Sequence, residues 1–125
     1  MGNKRILFVD DNEELLDALT PVLERYGYQV TALTSSSQAL KTFERNPKDF
    51  DLLLTDQVMP EITGLDLARK IRDVRRNIPV ILISGYVETV TSEEIKTAGV
   101  QVLLQKPVTG QDLDTIIRDV MKKRS

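Results

Sequence analysis

In this chain of 125 residues, groups able to handle phosphorus stand at the ends of short apolar runs. Asp10 and Asp11 follow Arg5-Ile6-Leu7-Phe8-Val9, and Asp56 follows Leu52-Leu53-Leu54-Thr55. Ser84 follows Pro79-Val80-Ile81-Leu82-Ile83, and Lys106 follows Val102-Leu103-Leu104-Gln105. A carboxylate can attack phosphorus, further acids can hold a cation beside it, and a lysine with a hydroxyl can grip the equatorial oxygens. Taken singly, each has an ordinary role. Asp10 or Asp11 suits a helix N-cap, Asp56 a turn, Ser84-Gly85 a tight turn, and Lys106 a surface lysine or ion-pair partner ahead of Pro107. The chemistry requires that they meet.

Four of the runs are short and nearly continuously aliphatic, the pattern of strands covered on both faces, and 28–33 supplies a fifth strand. Carboxyl ends of parallel strands open on one edge, so residues nearly a hundred positions apart in sequence can converge there. Between the runs lie helical patterns. Leu15, Leu19, Val22, Leu23 and Tyr26 form the apolar stripe of a first helix, stopped by Gly27, with a kink or local irregularity expected at Pro21. Ser35 with Gln38 predicts a capping box for a second helix carrying Ala39, Leu40 and Phe43, ended by Pro47. A third helix spans 64–74 with Leu67, Ala68 and Ile71 inward. A fourth spans 89–98, with a thin stripe of Val90, Ile95 and Ala98 and a stop at Gly99. The fifth is capped by Thr109 and packs through Leu113, Ile116, Ile117, Val120 and Met121.

Five βα units with right-handed crossovers make an α/β protein with an open, doubly wound parallel sheet. The strand order remains open between Rossmann-like and flavodoxin-like. Val9-Asp10-Asp11-Asn12 replaces the glycine-rich turn a dinucleotide needs, and its acids would repel a pyrophosphate. The length suits a single domain over 1–125.

Cysteine and histidine are both absent, which excludes disulfides, thiolate or imidazole metal sites, and any triad with a His base. Nineteen acidic and 17 basic residues give a formal net charge of -2, no basis for binding nucleic acid or an anionic membrane. Arg69, Lys70, Arg72, Arg75 and Arg76, and the tail of Lys122, Lys123 and Arg124, read as solvated helix faces. No stretch approaches the roughly 18 apolar residues of a bilayer span. Met1-Gly2 fails the myristoylation pattern because Ile6 stands at its sixth position. A cytoplasmic module is expected.

Gathered on one edge, Asp10, Asp11 and Asp56 would repel by roughly 4 kcal/mol per pair at about 4 Å and an effective dielectric near 20. A cation must balance them. Oxygen ligands alone suit a hard ion, and Mg²⁺ takes few carboxylates while keeping waters for phosphate exchange.

With Asp10-Asp11, Asp56 followed by Met59-Pro60 and Gly64, Ser84-Gly85 and Lys106-Pro107, the chain resembles the receiver domain of two-component response regulators over essentially its full length. The resemblance implies a flavodoxin-like (βα)5 fold with strand order 2-1-3-4-5. It implies Asp56 as phosphoacceptor, Mg²⁺ placed by Asp10, Asp11, Asp56 and the Val58 backbone carbonyl, and phosphoryl oxygens held by Ser84 and Lys106. It also implies a cis Lys106-Pro107 peptide. Leu103 stands where many receivers carry a switching aromatic, three residues before the lysine. Tyr86 either borders the site or is a loop aromatic.

Without histidine the chain must take phosphate from elsewhere, so the implied partner is a histidine kinase or a histidine phosphotransfer protein. The response is expected on the face of the fourth helix, fifth strand and fifth helix, which also offers a homodimer contact. A stand-alone signalling protein or a receiver excised from a longer chain is expected, and the runs around Asp56 and Lys106 resemble receivers of hybrid sensor kinases. Two other readings compete. A Mg²⁺-dependent phosphatase with an aspartyl nucleophile would carry a second acid two residues on, where Asn12 and Val58 stand instead. A binding module that keeps the fold but not the phosphate would not need the five polar residues intact.

Overall fold

The computed structural model describes residues 4–85 and 90–123. Among them, strands β1 (Arg5–Val9), β2 (Gln29–Leu33), β3 (Leu52–Asp56), β4 (Val80–Ser84) and β5 (Val102–Gln105) alternate with five helices. The helices are α1 (Glu13–Arg25), α2 (Ser36–Arg45), α3 (Gly64–Val74), α4 (Ser92–Ala98) and α5 (Gly110–Lys122), and a single 3-10 turn occupies Pro47–Asp49. All pairings are parallel. The order β2-β1-β3-β4-β5 is the flavodoxin-like one.

Because strand side chains alternate between faces, each inner strand feeds two cores. Ile6, Phe8, Leu52, Leu54, Ile81 and Ile83 pack under α1 and α5. Leu7, Val9, Leu53, Val80 and Leu82 pack under α2, α3 and α4. Every residue of β3 and β4 is buried, and each such Leu or Ile contributes roughly 1.5–3 kcal/mol. The expectation of two-faced cover fails at β5, where Val102, Leu103 and Leu104 are half-buried and Gln105 is exposed. Only β4 flanks it, and an aliphatic run does not distinguish an edge from a centre.

Several boundaries moved for local reasons. The Tyr28 N–H donates to the Leu23 carbonyl at 3.2 Å, closing the turn around Gly27 (φ 102°), so β2 starts at Gln29. Pro79 lends its carbonyl to Leu53 but has no N–H for the ladder, and β4 starts at Val80. The fourth helix starts at Ser92, because Thr91 and Glu94 form a reciprocal capping box; position 89 lies outside the described residues. Ser35 does cap α2, accepting from the Gln38 N–H at 3.1 Å, but donates its own hydroxyl to Glu61.

Helix α1 runs unbroken across Pro21, and its buried stripe is Leu16, Leu19 and Leu23. Tyr26, expected inward, is the C-cap and is exposed. The stripe turned because α1 answers to two neighbours, the sheet and α5. Val22 sits against Gly110, where a Cβ would lie 2.2 Å from its Cγ1.

Arg69, Arg72 and Arg75 have intramolecular partners. Arg69 pairs with Asp66 at 2.7 Å, Arg72 donates to the Arg76 carbonyl, and Arg75 donates to the carbonyls of Pro47 and Phe50. No helix among the described residues is long and apolar enough to cross a membrane.

Candidate functional site

Strand β1 delivers Asp10 and Asp11 to the carboxyl edge of the sheet. The capping role that could have explained either acid belongs to Asn12, whose side chain accepts from the Leu15 N–H at 3.2 Å. Asp10 is fully buried and accepts the Asn12 N–H at 2.9 Å through Oδ1. Its Oδ2 faces the Lys106 ammonium. Asp11 is exposed.

Asp56 is the last residue of β3 and is 6% exposed. On one side β4 pairs Ile83 with Asp56, and on the other the last pair with β1 is Val9 with Thr55, one residue earlier. Gly64 explains the glycine of the Met59-Pro60…Gly64 spacing. A Cβ there would fall 2.2 Å from the Asp56 carbonyl oxygen and 2.6 Å from Leu82 Cδ1, so only glycine lets α3 begin this close to the strand. The Gln57 side chain then accepts the Leu65 N–H at 2.8 Å, and its carbonyl accepts the Gly64 N–H at 2.9 Å. Both bonds fasten α3 behind Asp56.

Carboxylate oxygens of Asp10, Asp11 and Asp56 lie within 4.8 Å of one another. Lys106 Nζ stands 3.1 Å from Asp10 Oδ2 and 3.3 Å from Asp56 Oδ1. Its backbone N–H donates to the Ser84 carbonyl at 2.9 Å, which ties the ends of β4 and β5 together. Ser84 is fully buried at the end of β4, one position past the residue opposite Asp56. The Lys106-Pro107 peptide is cis. Val58, 57% exposed, forms an apolar rim, and Tyr86 lies outside the described residues.

One ammonium facing three carboxylates leaves the cluster short of positive charge. Burial raises the Asp56 carboxyl above the usual range, the charge of Asp10 adds to this, and Lys106 opposes it. Burial alone would lower Lys106, but its hydrogen bond to Asp10 and the charges of Asp10 and Asp56 outweigh that and raise it. Lys106 therefore stays charged while Asp56 is held where another cation is welcome. The donors are all oxygens on a partly open edge, a set that fits a hard divalent ion.

The sequence placed these residues in one group but missed those that hold the loop after Asp56. Ser36, buried, donates to the Pro60 carbonyl at 3.0 Å and accepts the Ile62 N–H at 3.1 Å. Between them Glu61 takes a positive φ of 75°. Three serines opening a helix look alike in sequence, and nothing in it marks the middle one.

The model of the response regulator receiver domain matches residues 6–118. This chain belongs to that family. CpdR, a response regulator receiver protein of Brucella abortus, is 32% identical over 110 residues, covering 88% of this chain and 90% of its own length. A receiver domain protein from Clostridium thermocellum superposes with a TM-score of 0.87 at 29% identity, over 97% of this chain and 96% of that one. TrrA of Thermotoga maritima, solved in complex with Mg(2+)-BeF, gives 0.83 at 26% identity, over 94% and 98%. Other curated relatives are longer: the chain spans 16% of one and 46% of another. In this receiver domain the acid cluster occupies the carboxyl edge where an α/β sheet of this type opens to ligands.

Proposed function

We propose that residues 1–125 act as one phosphoacceptor receiver in two-component signalling or a phosphorelay in the cytoplasm, with Asp56 as the acceptor. The observation that carries this is Asp56 itself, an acid at a buried strand end, crowded by Asp10 and Asp11 and reached by one lysine. A carboxylate so placed can act as a nucleophile with a cation screening its neighbours.

The donor is a histidine kinase or a histidine phosphotransfer protein, since this chain has no histidine. In the transfer, the donor's N–P bond breaks as an Asp56 carboxylate oxygen bonds to phosphorus, and the electron pair returns to the imidazole. Lys106 Nζ, now bound to Asp10 and Asp56, donates to one phosphoryl oxygen, and the Ser84 hydroxyl donates to another. Asp10, Asp11, Asp56 and the Val58 carbonyl would hold Mg²⁺, which supplies positive charge against the incoming oxygens.

Drawing Lys106 and Ser84 toward a phosphoryl group pulls on the ends of β5 and β4. The surface of α4, β5 and α5 is where a partner or a second copy would read the change. Full switching from 1:99 to 99:1 needs about 5.5 kcal/mol, within reach of two charge-assisted bonds and the rearranged lysine.

Incubation with Mg²⁺ and a small acyl phosphate, followed by intact mass, tests the assignment. Wild type should gain one phosphoryl group and Asp56→Asn none. Turnover of a phosphate ester, or ion binding without an adduct, would count against it.

A further inference from the structure

Resting on the reading of Asp56 as acceptor, we propose that Ser36 is a positioning residue for the loop from Gln57 to Thr63, holding a strained turn at Glu61 so that the loop presents Val58 beside Asp56. The loop's two ends are fixed. The Gln57 N–H donates to the Ile83 carbonyl at 3.0 Å, and Gln57 accepts from Gly64 and Leu65. Its far side depends on residues of α2.

Glu61 is the only non-glycine residue with positive φ among the described residues. The Ile62 N–H donates to the Pro60 carbonyl at 2.9 Å across it, the i to i+2 bond of a γ-turn whose positive-φ form is strained. Such a conformation persists when its surroundings over-determine it. The Ser36 hydroxyl spans the turn, donating to the Pro60 carbonyl and accepting the Ile62 N–H. Glu61 Oε1 accepts the Ser35 hydroxyl at 3.0 Å and the Ser37 N–H at 3.5 Å, at the amino end of α2. Ser35 thus caps its own helix and also fixes the outer arm of the turn.

Ser36 is 1% exposed, and an alanine there removes both bonds that its hydroxyl makes across the turn, to the Pro60 carbonyl and from the Ile62 N–H. The turn would then relax toward ordinary negative φ and carry the Val58–Pro60 segment with it. The consequence falls on the ion site, although Ser36 belongs to neither the acid cluster nor the sheet edge.

The experiment compares wild type, Ser36→Ala, Glu61→Gly and the double variant. Three readouts are taken: amide exchange at Ile62 without metal, Mg²⁺ affinity by calorimetry, and the phosphorylation rate with a small acyl phosphate at rising Mg²⁺. Ser36→Ala should exchange Ile62 about tenfold faster and weaken Mg²⁺ binding roughly three- to tenfold. Its maximal rate at saturating Mg²⁺ should change less than twofold. Glycine needs no support at positive φ, so Glu61→Gly should return the Mg²⁺ affinity of Ser36→Ala to within about twofold of wild type. Unchanged Mg²⁺ affinity in Ser36→Ala, or no rescue by glycine, overturns the proposal, whatever happens to thermal stability. A wild type that takes up neither Mg²⁺ nor phosphate defeats the reading of the site, and this inference with it.

Discussion

Asp114 and Asp56 are both shielded from water, at 8% and 6% exposure, yet they keep different company. Asp114 on α5 accepts the Tyr28 hydroxyl at 2.8 Å and Arg118 Nε at 2.9 and 3.0 Å. One acid meets one cation and one hydroxyl. Burial, and then the bond to Asp114, pushes the Tyr28 hydroxyl well above its ordinary value, so it remains a donor. The cluster ties α5 to the start of β2. Asp56 instead shares a single lysine with Asp10 and stands near a third acid. A closed cluster holds the fold together, whereas one with excess charge of a single sign is prepared for a ligand.

The contrast can be pressed at four points, the largest effect coming from the frame of the acid site. Gly64→Ala puts a methyl into the Asp56 carbonyl. Urea melts should show a loss of about 3 kcal/mol, together with weakened phosphoryl uptake. A loss below about 0.5 kcal/mol would mean that α3 is not pinned to β3 as described.

Mg²⁺ should stabilise the acid site alone. At a hundred times its dissociation constant the ion raises stability by about 2.7 kcal/mol, and Asp56→Asn should shrink that gain while Asp114→Asn leaves it intact. Equal loss in both variants would erase the distinction between the clusters.

Asp114→Ala strands the buried Tyr28 hydroxyl and should cost about 2 kcal/mol, with the yield of phosphorylated protein unchanged. A fall in yield would show that the second cluster serves the first.

Asp56→Asn should raise the stability of the metal-free protein by about 1 kcal/mol at neutral pH, because it removes a charge that burial and Asp10 disfavour. The sign follows from linkage. The folded state holds the Asp56 proton more tightly than the unfolded state, so the penalty is fully present above the folded-state value. It is relieved as pH falls through that value, above the ordinary carboxylate range near about 4. Urea melts against pH should show that relief in wild type and lack it in Asp56→Asn.

Much of this architecture can be read without coordinates, because three inner strands announce themselves as aliphatic runs, with a polar residue at the end of β3 and β4 and just past the end of β1. Leu52–Asp56 and Val80–Ser84 are buried at every position, so their sequences carry one signal only. Edges and surfaces carry two. Leu103 and Leu104 have the same composition as an inner strand and are only half covered. Leu16 and Tyr26 trade places in the α1 stripe because helix rotation depends on α5, which follows much later in the chain. Asp10, Asp11, Asp56 and Lys106 were found as a group since strand ends place them together. Asn12, Gln57 and Ser36 were not, since their work is done by bonds to backbone groups of α1, α3 and the loop after β3, and residue type does not encode which backbone group a side chain will meet.

The central claim is that phosphorus bonds to one oxygen of Asp56. Borohydride reduces an aspartyl phosphate to homoserine, so wild type treated with Mg²⁺, a small acyl phosphate and borohydride can be digested and its peptides sequenced by mass spectrometry. The account predicts homoserine at position 56 and unaltered aspartates at positions 10, 11 and 114. Conversion at any of those three, or a phosphorylated hydroxyl with position 56 intact, would contradict it.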